Sequence, residues 1–219
     1  MKRSDRFREH AIAAGLALAC FCTHLIFLIR YGEMFFWGSD LVANAAYGVT
    51  LFSGVLNAGW TVPKPAEMLL FGAIHRMTGD LWFIHLALIV VTAVTVWTGC
   101  RLILRHYGST LGCVAFGLLM VALPRTFRAT LAGGAGVLAA MFLLLAILCL
   151  GGAGRRRERI LAVVFLSMAN LARPDCWPCT YLIIFLVMLF KARARGGPGW
   201  TGADLWFLVP MGMPLVWVG

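Results

Sequence analysis

The feature that most constrains this chain is the segregation of its charges, which stand in clusters between uninterrupted apolar runs. Several of the runs approach the ~20 residues that a helix needs to cross a bilayer. Four basic residues lie in the first ten positions, two at Arg101 and Arg105, four within 155–159 and three within 191–195. These 13 of the 19 Lys and Arg occupy alternate segments between the runs, as the positive-inside rule requires of cytoplasmic loops. The net charge of +10 is therefore topological and does not point to a nucleic-acid partner.

Composition agrees. Apolar residues make up 61% of the 219 and charged residues 13%, against roughly half and a quarter in a soluble domain, and the mean hydropathy is +0.87. The expected fold class is all-α: a polytopic helical membrane protein of about seven transmembrane helices, with juxtamembrane helices in its first outer loop. The first apolar run continues to Ile29 without a small-residue cleavage site, which makes it a retained signal anchor. The predicted spans are 10–29, 81–104, 109–123, 131–150, 160–172, 177–190 and a last one from about 204. The N-terminus is then cytoplasmic, 31–80 is the first outer loop, and 1–219 is a single transmembrane domain. The third, fifth and sixth spans are short, so they must tilt or be shielded by neighbours.

This topology gathers Glu33, Asp40, Lys64, Glu67, His75, Arg76, Asp80, Arg125, Arg128, Arg173 and Asp175 on the outer side. Charged groups collected against apolar walls are the raw material of a site. Asp40 opens a helical stretch in which Asn44 and Tyr47 follow at i+4 and i+7, putting three polar groups on one face; Ser39 or Asp40 would also serve as an N-cap. In Pro63-Lys64-Pro65, each proline pushes the preceding residue into extended geometry, and Pro65 suits the first position of a helix continuing through 66–77. Lys64 would stand beside a helix N-terminus, an arrangement that attracts phosphate. The plainer reading is a snorkelling interfacial lysine.

The stretch GWTVPKPAEMLLFGAIHRMTGD, following a first span, a loop acid and a juxtamembrane helix, resembles the GT-C membrane glycosyltransferases. The likeness is to the branch of protein O-mannosyltransferases and lipid A aminoarabinose transferases. Lys64-Pro65-Ala66-Glu67-Met68-Leu69 matches a "KPP-L" type segment with Ala66 at the second proline. Arg173, Pro174, Asp175 and Trp177 look like the "RPE-W" stretch at the outer end of a later helix. Where many relatives carry an acid after the second outer loop, this chain has Gly133-Gly134-Ala135-Gly136, so no second acid is assigned.

The resemblance implies the N-terminal portion of a longer, multi-pass bacterial inner-membrane enzyme. Its donor would be a polyprenyl-phosphate sugar and its acceptor a hydroxyl or amine of a lipid, glycan or protein on the outer face, with inversion. Asp40 would be the general base. Lys64, Glu67, Arg76, Arg125, Arg128, Arg173 and Asp175 would bind substrate, the cations compensating the leaving phosphate. No cofactor is certain, and the resemblance leaves room for a divalent metal ion. Three other readings stand beside it: a membrane thiol oxidoreductase using Cys176 and Cys179, a transporter, and a truncated, inactive relative.

Overall fold

The computed structural model describes residues 3–31, 39–52, 64–122, 130, 135–151, 156–195 and 202–213, and every element among them is helical. In chain order the α-helices are α1 (Arg3–Tyr31), α2 (Ser39–Phe52), α3 (Pro65–Thr78), α4 (Trp82–Tyr107), α5 (Thr110–Ala122), α6 (Ala135–Leu150), α7 (Arg156–Ala172), α8 (Trp177–Arg195) and α9 (Leu208–Gly212). Two 3-10 turns, Pro174–Cys176 and Gly202–Phe207, join the last three.

Local chemistry explains the boundaries. Pro65 starts α3 as predicted. Gly79 ends it in the left-handed region at φ 71, its N–H donating to His75 O at 2.7 Å. Asp80 Oδ1 then accepts from Trp82 N at 2.9 Å, which assigns Asp80 to starting α4. Gly108, at φ 61, ends α4 in the same way as Gly79 ends α3. The arginines at 156–159 form the first turn of α7 instead of a loop, and α8 runs through the basic segment 191–195 instead of closing at 190. Arg, Glu, Lys and Ala are good helix formers and give no stop signal. The predicted seventh span differs most: from Gly202 the described residues form a 3-10 turn and then a five-residue helix containing Pro210, which supplies no N–H donor.

Two stretches, Arg8–Tyr31 and Trp82–Tyr107, are long and apolar enough to cross a membrane. At ~1.5 Å per residue the second is about 39 Å long. Its apolar window is 61% buried against 22% for the first, so α4 is the central helix and α1 a peripheral one. α4 packs on α1, α3, α5 and α6; α6 packs on α7; and α2 lies on α3. Small residues set the closest approaches. A Cβ on Gly99 would stand 2.3 Å from Phe116 Cε1, and one on Gly72 would stand 2.5 Å from Gly48 Cα.

The bundle has a basic end. Arg101 contacts His10, Arg105 donates to Gly151 O, and Lys191 pairs with Asp204, so segments predicted as cytoplasmic touch one another. Toward the other end, Ala66, Val91, Val137, Leu138, Ala139, Ala172 and Cys176 form one core cluster. That cluster brings the start of α3, the start of α6 and the end of α7 together.

Candidate functional site

The site grows from the first turn of α3. Lys64 precedes it in an extended conformation (φ −117, ψ 77), and its carbonyl accepts from Met68 N at 2.9 Å. The backbone is what the flanking prolines dictate, and the side chain is half-buried. Ala66, two residues on, belongs to the core cluster that also holds Cys176 of the 174–176 turn.

That turn carries the second charged feature. The Arg173 guanidinium donates from Nε to Asp175 Oδ1 at 2.8 Å and from Nη2 to Oδ2 at 2.6 Å, a bidentate pair. Its Nη1 lies 3.2 Å from where a Cβ on Gly136 would stand, so Arg173 reaches the start of α6. Gly136 carries no side chain to fill the space that the guanidinium approaches. Beside the turn, the Trp177 indole N–H is buried and has no hydrogen-bond partner among the described residues. An N–H left this way is a ready donor to a substrate oxygen. Sequence reasoning quoted Trp177 as part of a motif and gave it no role.

Three expectations need correction or limits. Glu67 does not face the outer surface: it is fully buried in the first turn of α3, the favourable end of the helix dipole for a carboxylate. Arg76 is exposed, but about 18 Å of helix separates it from Lys64, so the two do not form one phosphate clamp. Asp40 is the second residue of α2, as predicted; its side chain, Arg125 and Arg128 lie outside the described residues. Among the described residues, no three His, Cys, Asp or Glu side chains converge as a metal site would require.

The Cys-x-x-Cys pair is poorly arranged for redox work. Both thiols are free, Cys176 is buried and Cys179 exposed. Burial, then the neighbouring Asp175 and Cys179, push the Cys176 thiol up to about 11, and the nearby Arg173 offsets only part of this. A thiol so protonated is a weak nucleophile at neutral pH. In α1, His24 is buried and its Nδ1 contacts Cys20 O at 2.9 Å, so the ring is packed and hydrogen-bonded.

No family model matches the sequence, and comparison with curated proteins and with solved structures gives no match.

Proposed function

We propose that the chain is a multi-pass membrane protein of about seven spans with a cytoplasmic N-terminus, and that it acts as a glycosyltransferase of GT-C type. It moves a sugar from a polyprenyl-phosphate carrier to an acceptor hydroxyl or amine outside the membrane. The observation that carries the reading is that the start of α3, which bears Lys64, shares a core with the Arg173–Asp175 turn, while α2, which bears Asp40, crosses α3 at Gly48 and Gly72.

The reaction is a single displacement. The acceptor heteroatom attacks the anomeric carbon as the carbon–oxygen bond to the carrier breaks, which inverts the centre. Asp40 takes the acceptor proton, and the carrier phosphate leaves with the bonding electrons. A phosphate leaving group needs charge compensation more than protonation, which Lys64 and Arg173 supply, with Trp177 N–H as a further donor. Asp175 holds the Arg173 fork in place and is a positioning residue.

The test is transfer from a radiolabelled polyprenyl-phosphate sugar in proteoliposomes. Asp40→Asn keeps the shape and removes the base, so transfer is expected to fall at least ~100-fold with expression unchanged. Undiminished transfer in that variant removes Asp40 from the mechanism.

A further inference from the structure

The basic end of the bundle holds a cavity that the transfer reaction does not use. It lies between the first turns of α7 and the 202–207 turn, has a volume of about 340 Å³, and is lined by Arg156, Arg159, Ile160, Val163, Trp206 and Phe207. Its polarity is graded. Arg156 and Arg159 stand on one face of α7 at i and i+3, with the positive end of that helix's dipole beside them. Ile160 and Val164, four residues apart, continue the face as exposed apolar side chains. Across the cavity, Trp206 is 55% exposed, and Leu205, Leu208 and Val209 extend its apolar surface.

The local charges favour an anion. Asp204 is fully buried and is neutralised by Lys191, with Arg159 Nη1 4.0 Å away. Arg156 is exposed and makes no hydrogen bond or ion pair among the described residues, so one guanidinium at the cavity mouth is uncommitted. Glu158 lines an adjoining cavity of about 140 Å³ with Arg159 and Lys191 and does not line this one.

We propose that this cavity binds the phosphate of an anionic phospholipid headgroup. Arg156 and Arg159 hold the phosphate, Trp206 sits at the glycerol level, and the acyl chains run along Ile160 and Val164. Neither arginine alone would distinguish a lipid from free phosphate; the apolar flanks favour the lipid. The assignment rests on the membrane reading above and is independent of the transfer reaction.

The experiment uses the full chain in phosphatidylcholine nanodiscs doped with phosphatidylglycerol, with bound lipid read by native mass spectrometry. Preferential retention of phosphatidylglycerol is expected, weakened about fivefold by Arg156→Gln with sugar transfer unchanged. Phosphatidylglycerol with brominated chains should quench a fluorescence component that Trp206→Phe removes. Equal retention of both lipids, or full selectivity in Arg156→Gln, overturns the site. Displacement by excess inorganic phosphate without quenching assigns the cavity to a free anion and overturns the lipid. Release of the chain from membranes by alkaline carbonate defeats the membrane reading as well, whereas lost selectivity in a chain that stays bound defeats this site alone.

Discussion

Gly72→Ala is the most informative single change, because the α2–α3 crossing leaves no space for a methyl group. An added Cβ would stand 2.4 Å from the Gly48 carbonyl carbon, 2.5 Å from its Cα and 2.8 Å from its oxygen. Carbon atoms rest at ~3.5–4.0 Å, so the two helices must part by roughly 1 Å or more. All three neighbours are backbone, and no side-chain rotation relieves the clash. Overpacking of this kind costs about 1–3 kcal/mol. The functional effect should be larger: Asp40 lies about 12 Å along α2 from Gly48, so a change of crossing displaces it relative to α3. A misplacement near 1 Å can cost ~100-fold in rate. The assays are thermal unfolding in detergent and sugar transfer in proteoliposomes, with Gly15→Ala as control, since nothing lies within 4 Å of a Cβ there. The expected result is a lower midpoint and transfer reduced ~100-fold in Gly72→Ala, with neither change in Gly15→Ala. A Gly72→Ala protein with the parental midpoint and rate refutes the close crossing and its role in holding Asp40.

Two further outcomes follow from the charged and sulfur groups. Asp204→Asn leaves Lys191 beside a buried neutral amide and should cost about 3 kcal/mol in thermal unfolding. Asp204→Asn/Lys191→Met should recover part of that loss, and a double variant no better than the single one contradicts the pairing. For Cys176, the folded thiol holds its proton more tightly than the unfolded one, whose value is 9.0. The stability it contributes is therefore intact below pH 9 and is lost as pH rises through about 11. Alkylation of Cys176, followed by peptide mass spectrometry, should accelerate about tenfold per pH unit up to that value; a plateau below pH 9 would restore the case for a reactive pair.

Legibility in the sequence followed how local the determining physics is. Pro65 announces the α3 start within a few residues, and Asp80, Gly79 and Gly108 make their caps and turns with no tertiary help. The segments that carry the basic clusters lie together at one end, where His10 contacts Arg101 and Arg105 donates to Gly151 O. Charge is a poor guide to helix limits here: 156–159 and 191–195 look like loops by their charge, yet their residues favour helix as strongly as the apolar run beside them. Long-range pairings were not visible. Nothing near Asn170 announces that its amide accepts from Thr180 Oγ1 at 2.8 Å and donates to Pro210 O at 2.9 Å, joining α7, α8 and α9. The Gly48–Gly72 crossing could have been suspected from a glycine inside each of two neighbouring helices.

Glu67 fails for a deeper reason, and that reason supports the membrane reading. The predicted topology puts Glu67 among outward charges, but in α3 Leu69 and Met77 face out while Glu67 faces in. The inversion recurs. His24, His85, Thr92, Thr95, Thr130, Asn170 and Thr180 are buried, while Leu18, Ile29, Leu118, Leu119, Leu182, Phe185 and Phe190 are exposed. The buried hydroxyls all find partners: Thr92 and Thr95 donate within their own helix, to Leu88 O at 2.9 Å and Val91 O at 2.8 Å, Thr130 pairs with Thr92 at 2.9 Å and Thr180 donates to Asn170 at 2.8 Å, the satisfaction that helices without access to water require. In water this surface would be an extended apolar patch of the kind soluble monomers avoid. In a bilayer the outward leucines cost nothing, and the buried polar groups become the specific contacts between helices. The same reversal makes an inward Glu67 beside the start of α3 a natural constituent of a site, and a misleading one to any reading that assumes water outside.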